Sequence, residues 1–420
     1  MTTVQNITII SAVYPPEPQI SALMSFDLAS HLADHGYCIT VLCPQPSRPL
    51  NADYSHYKDP YSSIEINESR IKVVRLPSFA APQSRLLPRM WESFSFGREV
   101  TKYLVNEKVK PDVIYVNSWP LFAQTVIARY AKKSAVPMVL QIMDIYPEAL
   151  TNKLPAVLRS IINALLKQID TWIALTAAAV VVISENMWRT YTKNRRIPAE
   201  RVVTIPTWQN EAAFENLPSR FDCCRGYGIP DDLFTFLFLG NIGPVACVDF
   251  LINAFAKADI SNAQLLIIGD GAAKSDCVAL VNSLNLSHVN FISDPEAANV
   301  PVLQSMAHVC MLPMKRGAGR SSIPSKLSSY LFSAKPVIAT VDSGSDTACF
   351  VRQAECGWVG EAEDLSWLVH KMREVVLMPK DQLDILGQHG KKFGLIHFSK
   401  SSGVVRLANT ITQACSKPLV

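Results

Sequence analysis

The sequence predicts an α/β protein built of two doubly wound parallel sheets. Short apolar segments rich in β-branched and aromatic residues alternate with segments of helical spacing along all 420 residues. Because these segments are apolar at consecutive positions, they are typical of parallel strands that helices cover on both faces. The length also exceeds the size at which one hydrophobic core stops growing, so we expect two domains.

The predicted strands fall into two groups. In chain order they are NITIISAVY, CITVLC, IKVVRL, DVIYVN, MVLQIMD and AVVVIS, then TFLFLG, QLLIIGDG, VNFIS, VCMLP, PVIAT and GWVG. Between the groups, residues 202–232 are rich in Pro, Asn and Gly, which places the boundary near residue 212. We predict an N-terminal domain over 1–211, a second domain over 212–397, and a C-terminal helix over about 398–420 that packs back on the N-terminal domain.

Composition argues against several classes of protein. The net charge of +4 and the charged fraction of 18% do not fit a protein that coats a polyanion, and no nucleic-acid-binding motif accompanies the short basic runs. The ten cysteines are scattered without a CxxC pair, so we expect neither a zinc site nor a disulfide framework. We find no signal-peptide pattern, and the apolar run at 171–184 is too short to span a bilayer. A cytoplasmic protein is therefore predicted.

Ligands of open parallel sheets bind at the carboxyl ends of the strands, so we expect the chemistry in strand-to-helix loops. The loop after the first strand carries Glu17 and Ser21 and lacks GxGxxG glycines, so it is either a stiff connection or an acceptor contact. The loop after MVLQIMD carries Asp144 and Glu148. Asp144 is a candidate base or partner for a sugar hydroxyl, and equally a candidate helix N-cap.

Glycine-rich turns follow the first two strands of the second domain. Gly240 and Gly243 flank Asn241 ahead of a helix, which would let the backbone and the helix N-terminus approach an anion. The turn GDGAAK at 269–274 is either a tight connection or a weak sign of a nicotinamide nucleotide site.

A lysine stands at the start of a predicted helix in SSIPSKLSSYLFSAKPVIA, residues 321–339. We place Pro324 in the first helical turn with Ser321 or Ser322 as its cap, so that Ser325 and Lys326 meet the positive end of the helix dipole. A cation there is unfavourable by about 0.3–1 kcal/mol unless an anion fills the site. With Arg320 nearby, the segment indicates a phosphate site; a solvated lysine on an exposed turn is the alternative.

These motifs together resemble a known family. YPPEP, PDVIYVNSWP, DIYPEAL, VVVISENM, GNIG, IIGDG and PSKLSSYLFSAKPVIAT, in this order and over nearly the whole chain, are similar to GT-B glycosyltransferases of family 4. The branch that they resemble most assembles bacterial O-antigen and capsule and includes N-acetyl-L-fucosamine transferases.

The resemblance implies a fold and a reaction. Two Rossmann-like domains would face each other across a cleft, the first binding the acceptor and the second the donor. The enzyme would move a sugar, with retention and without a metal or other cofactor, from a nucleotide-sugar, usually UDP-linked, to a polyprenyl-diphosphate-linked saccharide. The family's pattern makes Gly240, Asn241, Gly243, Ser325 and Lys326 donor contacts. It puts Asp144 on the catalytic side of the first domain.

This sequence departs from the family pattern at the donor site. Ser321 and Ser329 stand where many members have two glutamates, and NIGPVAC lacks the Arg and Lys that often follow the GxxG loop. Serine hydroxyls bind a sugar more weakly than carboxylates do, so weaker donor binding or a different donor sugar follows. A nucleotide-sugar 2-epimerase and a non-catalytic nucleotide-sugar-binding scaffold are the alternatives.

One further segment bears on the acceptor. Residues 154–175 carry apolar side chains at 157, 158, 161, 162, 165, 166, 169 and 172, with Arg159 and Lys167 outside this stripe. The pattern fits a helix lying on the inner membrane and equally a helix facing the core.

Overall fold

The structure is a computed structural model that describes residues 5–47, 53–54, 63–66, 70–79, 86–147, 156–293, 299–318 and 323–415. The chain divides into two compact units. Unit 1 is Met1–Thr207 with Gly403–Val420, and unit 2 is Trp208–Ser402. This division lies within a few residues of the predicted boundaries at 212 and 398. The acceptor and donor roles predicted for the two domains stay predictions.

Unit 1 is built on an eight-stranded sheet. Its strands are β1 (Asn6–Ser11), β2 (Cys38–Pro44), β3 (Ser63–Ile66), β4 (Ile71–Leu76), β5 (Val113–Asn117), β6 (Met138–Ile142), β7 (Ala179–Val182) and β8 (Val202–Thr204). Its helices are α1 (Ile20–Asp34), α2 (Leu86–Asn106), α3 (Phe122–Ser134), α4 (Ala156–Thr176) and α5 (Glu185–Arg189), followed by a π-helical turn (Thr190–Asn194) and a 3₁₀ turn (Ala199–Arg201).

The strand order in unit 1 is β3-β4-β2-β1-β5-β6-β7-β8. All neighbours pair in parallel except β3 and β4, which are antiparallel. Every residue of β5 and β6 is buried. This confirms the prediction, drawn from their uninterrupted apolar runs, that helices cover both faces of the sheet. The edge strand β3 was not predicted.

Unit 2 contains a six-stranded parallel sheet. Its strands are β9 (Phe234–Leu239), β10 (Ala263–Ile268), β11 (Val289–Ile292), β12 (Val309–Pro313), β13 (Val337–Thr340) and β14 (Gly357–Gly360). A 3₁₀ turn (Glu211–Phe214) precedes its helices, which are α6 (Arg220–Tyr227), α7 (Val248–Ala258), α8 (Lys274–Ser283), α9 (Val300–Ser305), α10 (Ser325–Phe332), α11 (Asp346–Gln353), α12 (Leu365–Val376) and α13 (Lys380–His397).

The strand order in unit 2 is β11-β10-β9-β12-β13-β14. This is the Rossmann order, in which the winding direction reverses between the first and fourth strands of the unit, here β9 and β12. Loops leaving these two strands diverge and open a crevice at the carboxyl edge of the sheet. The architecture therefore marks that edge as the place to look for a ligand site.

The last helix, α14 (Lys400–Ala414), begins in unit 2, and its residues from Gly403 onward belong to unit 1. There the Arg406 guanidinium donates to the carbonyl of Thr204 at 2.6 Å. This confirms the predicted return of the C-terminal helix to the N-terminal domain. In the described part of the chain, every helix is too short or too polar to cross a bilayer.

Candidate functional site

A cavity of about 210 Å³ opens in unit 2 where the loops after β9 and β12 diverge. The start of α10 lines it as well. Its lining residues are Asn241, Gly243, Pro244, Val245, Ala246, Leu312, Pro313, Met314, Pro324 and Lys326. The cavity therefore lies at the strand-order reversal, where doubly wound sheets bind ligands. It brings together Asn241, Gly243 and Lys326, which the sequence predicted as donor contacts.

Gly240 determines how closely Lys326 can approach the loop after β9. Its φ of +134° is a conformation that side-chain-bearing residues rarely adopt. A Cβ atom at this position would lie 2.4 Å from Cε of Lys326 and 3.3 Å from Nζ. The aliphatic stem of Lys326 thus crosses the loop directly over the glycine, and a larger residue would displace it.

The ammonium group of Lys326 has no counter-charge within the described residues. Its Nζ lies 3.9 Å from the centroid of the Phe238 ring, where the π face attracts a cation. Neither a hydrogen bond nor an ion pair of this ammonium group occurs in the described ranges. Burial lowers the pKa of Lys326 to about 8, because it disfavours the charged form. An anion entering the cavity would supply the missing charge.

Helix α10 begins one residue later than the sequence predicted. Pro324 is its N-cap, with φ −67° and ψ 131°, and lies outside the first helical turn. Among the described residues, no side chain caps the helix there. The first backbone N–H groups of α10, those of Ser325 and Lys326, have no acceptor within the helix, so they can face an anion. Arg320 and Ser321, both predicted donor contacts, and the predicted cap Ser322 lie outside the described residues.

Ser329 is placed away from the cavity. It is 5% exposed, and its hydroxyl donates to the Lys326 carbonyl at 3.0 Å while it accepts from Nε2 of Gln304 at 2.8 Å. Ser333 donates to Oε1 of the same glutamine. This buried network joins α10 to α9, so the structure gives Ser329 a structural role in place of direct access to the cavity. Its predicted donor contact would require it to exchange these partners.

The turn at Gly269–Gly271 supports the loop that lines the cavity. Ile242 N–H donates to the Asp270 carbonyl at 2.8 Å, and Gly240 N–H donates to the Ile268 carbonyl at 2.8 Å. A Cβ atom at Gly269 would lie 2.1 Å from the Gly240 carbonyl oxygen. These contacts are those of a tight connection, the first of the two interpretations of GDGAAK.

In unit 1, Asp144 follows β6 and lines a second, small pocket. The pocket has a volume of about 40 Å³, and its polar lining residues are Ser118, Gln124, Gln141, Asp144, Tyr146, Asp170 and Tyr191. The side chain of Asp144 is exposed at the rim. The surrounding protein still displaces enough water to raise the pKa of Asp144 above its ordinary value. Glu148, the other predicted carboxylate of this loop, lies outside the described residues.

A buried ion pair that the sequence did not reveal holds the loop of Asp144. Nε of Arg195 donates to Oδ2 of Asp170 at 2.9 Å, and both side chains are almost fully buried at 0% and 4% exposure. The same guanidinium donates to the Tyr146 carbonyl at 2.8 Å, and the Tyr191 hydroxyl donates to Asp170 at 3.0 Å. Arg195 ends the π-helical turn, a rare conformation that recurs at functional sites.

Glu17 and Ser21, which the sequence predicted on the acceptor side, make contacts within unit 1. Glu17 is 2% exposed, and its Oε1 accepts from the Ser47 N–H at 3.0 Å. The carbonyl of Ser21 accepts from Nδ2 of Asn117 at 3.2 Å, which ties α1 to the end of β5. For Glu17, burial favours the stiff-connection interpretation, and its acceptor contact stays a prediction.

Comparison with known proteins indicates the activity of this chain. Residues 24–210 match the model of Glycosyltransferase Family 4, and residues 224–393 match that of Glycosyl transferases group 1. The protein is a glycosyltransferase. The colanic acid biosynthesis glycosyl transferase WcaI of Escherichia coli K12 is 23% identical to it over 395 residues, which cover 89% of this chain and 93% of that protein.

Solved structures show the fold of this glycosyltransferase. Sucrose-phosphate synthase from Thermosynechococcus elongatus is 17% identical with a TM-score of 0.71, over 98% of this chain and 99% of that one. Anabaena HepE in complex with UDP is 16% identical with a TM-score of 0.67, over 97% and 100%. The predicted GT-B class is confirmed. The epimerase and scaffold alternatives gain no support from these matches.

Within the described ranges, no group of three or more His, Cys, Asp and Glu side chains is placed to hold a metal ion. The metal-free reaction that the family resemblance implies stays a prediction.

Proposed function

We propose that this glycosyltransferase moves a sugar from a UDP-sugar to a polyprenyl-diphosphate-linked saccharide, with retention and without a metal ion. Lys326 carries the proposal, since it is a shielded cation that has no counter-charge among the described residues and lies at the strand-order reversal of unit 2. The UDP bound by HepE supports the choice of nucleotide, and the name of WcaI supports a role in a cell-surface polysaccharide. The family resemblance favours N-acetyl-L-fucosamine as the sugar.

In the proposed reaction the bond between the sugar C1 and the diphosphate oxygen breaks, and its electron pair stays on the leaving UDP. The acceptor oxygen forms the new bond to C1 on the same face, and its proton passes to the leaving phosphate. Negative charge therefore grows on the diphosphate, where Lys326 and the first N–H groups of α10 would stabilise it. Asp144 would orient the acceptor hydroxyl.

Substitution of Lys326 by Ala tests this assignment. Removal of one donor to a developing negative charge lowers turnover by about 100- to 1,000-fold, so we expect a loss of that order. The stabilisation of the fold by UDP, measured as a rise in Tm, should fall with it. Lys371→Ala is the control, because this lysine pairs with Glu374 at 2.6 Å on α12 and does not line the cavity. Turnover of Lys326→Ala within tenfold of wild type would refute the assignment.

We also propose that the protein works on the cytoplasmic surface of the inner membrane. Three apolar side chains of α4 are exposed in one row at i, i+4 and i+8: Ile161 at 59%, Leu165 at 59% and Ile169 at 38%. Ile162, Leu166 and Trp172 of the predicted stripe are half-buried, so that side of the helix faces the protein. The exposed row supports an interfacial helix.

A further inference from the structure

We infer that Gln141 and Ser118 bind an oxygen-bearing substituent of the acceptor saccharide in the small pocket beside Asp144. The inference rests on the proposed function, because it names the residues that would recognise the acceptor. It depends on two buried polar atoms that have no hydrogen-bond partner in the part of the chain that the structure describes.

Gln141 is the first of these. It lies in β6, is 2% exposed, and its Oε1 accepts from the Tyr115 hydroxyl at 3.2 Å. That hydrogen bond orients the amide, so Nε2 is turned to the other side. Among the described residues Nε2 has no hydrogen-bond partner. A buried donor without a partner is costly, so a native protein keeps one where something else supplies the acceptor.

The other buried glutamines of the described chain behave differently. Nε2 of Gln264 donates to the Pro230 carbonyl at 2.6 Å and to the Thr235 hydroxyl at 3.0 Å. Gln124 donates to the Ser118 carbonyl at 3.2 Å, and Gln304 donates to Ser329. Each of these amides ties two elements together. Gln141 therefore stands apart from them, because its amide nitrogen has no acceptor in the described ranges and its side chain lines a pocket.

Ser118 is the second orphaned group. Its Oγ is buried and, within the described ranges, has no hydrogen-bond partner. It lines the same pocket as Gln141 and Asp144. Ser118 follows β5 and Gln141 belongs to the neighbouring strand β6, so the two side chains come from adjacent strands at the carboxyl edge of the sheet, where ligands bind.

The remaining wall of the pocket is fixed. Asp170 is held by the Arg195 guanidinium and by the Tyr191 hydroxyl, so its carboxylate cannot turn to satisfy Gln141 without breaking a buried ion pair. Asp144 stands at the rim. The pocket thus offers an amide donor and a hydroxyl inside and a carboxylate acceptor at its mouth.

This arrangement fits one polar arm of a sugar ring. A volume of about 40 Å³ is too small for a whole ring but admits a hydroxyl or the carbonyl end of an acetamido group. Its oxygen would accept from Nε2 of Gln141 and exchange a hydrogen bond with Ser118. A neighbouring ring hydroxyl would then donate to Asp144. Gln141 and Ser118 would in this way determine which acceptor is bound.

The test uses the full-length chain with ¹⁵N-labelled glutamine side chains. The amide signals of Gln141 are assigned by their loss in Gln141→Leu, and free N-acetylglucosamine, galactose and mannose are then added separately, with UDP as the comparison. We expect at least one sugar to shift the Gln141 signals, UDP to leave them unchanged, and Ser118→Ala to reduce the shift. The inference is overturned if every sugar leaves these signals unmoved, or if UDP alone shifts them.

Two controls keep the outcome interpretable. Gln264→Leu should lower the Tm more than Gln141→Leu, because it removes two hydrogen bonds from the amide nitrogen and one to the amide oxygen, whereas Gln141→Leu removes only the one from the Tyr115 hydroxyl. A crystal structure with the responding sugar should show its oxygen on Gln141 Nε2; an ordered water kept there with the sugar present would overturn the inference. UDP that fails to bind would count against the proposed function alone, since the sugar titration does not need the nucleotide.

Discussion

At the scale of single residues, Lys326 combines two features that usually exclude each other. Its stem packs against Gly240 and its ammonium group lies over the Phe238 ring, yet it has no counter-charge among the described residues. Burial in that position disfavours the charged form and lowers the pKa of Lys326 to about 8. A bound diphosphate would reverse the shift, because a nearby negative charge favours the protonated lysine.

This coupling predicts a pH dependence for UDP binding. The diphosphate is fully ionised above pH 7, since phosphate monoesters lose their second proton near pH 6. Above about pH 8 the free protein loses the lysine proton, which the complex must take up again. We expect the Kd for UDP to be flat from pH 7 to 8 and then to rise by up to about tenfold per pH unit. Isothermal titration calorimetry measures the slope.

Lys326→Met is the matched variant for that experiment. It should bind UDP weakly at every pH, and an equal slope in the variant would show that another group titrates. In the free protein, stability increases with pH, whereas UDP binding becomes weaker. Between about pH 8 and the ordinary lysine pKa the unfolded chain binds the proton and the folded chain does not, so the free energy of unfolding rises with pH in that window.

At the scale of elements, the site depends on how closely the loop after β9 approaches α10. The glycines of this loop were visible in the sequence as a weak signal. The sequence could not predict their role, because Gly240 contacts a side chain from a helix that is distant in sequence. The same limit applies to the Arg195–Asp170 pair, whose members lie on separate helical segments and meet only in the fold.

Gly240→Ala is expected to disturb the ligand more than the fold. The new Cβ would meet Cε of Lys326 at 2.4 Å, and the flexible lysine end would move before the backbone does. We expect UDP affinity to fall by about 10- to 100-fold, as for a lost charge-assisted hydrogen bond, and stability by about 1–3 kcal/mol from the positive φ. Thermal shift and calorimetry report the two effects separately.

Gly226→Ala is the control for this substitution. Gly226 lies in α6 of the same unit, and a Cβ atom there would meet nothing within 4 Å. Alanine favours the helix by up to about 1 kcal/mol over glycine, so stability should hold or rise and UDP affinity should not change. Unchanged UDP affinity in Gly240→Ala would contradict the close approach described here.

At the scale of the whole molecule, uninterrupted apolar runs were enough to predict two parallel sheets, because only strands covered on both faces need them. The edge strand β3 was not predicted, because its sequence SIEI is short and contains a charged residue. Order along the chain predicted the family. Residue order could not predict which side chains of α10 reach the cavity. Lys326 does, whereas Ser329, one helical turn further on, is buried in a hydrogen-bond network.

Membrane association also belongs to this scale, because it requires one surface of the folded protein to meet the lipid. Ile161 and Leu165 project from α4 at 59% exposure each, and apolar side chains so placed enter the interface between headgroups and acyl chains. We expect wild-type protein to co-sediment with anionic vesicles at low salt, and the double substitution Ile161→Asp and Leu165→Asp to leave most of it in the supernatant.

The control is Leu377→Asp, which removes a comparable apolar side chain, 84% exposed in unit 2, and should co-sediment as wild type does. Wild-type protein that stays wholly in the supernatant would refute the membrane proposal, and equal loss in the Leu377 variant would assign the effect to added charge.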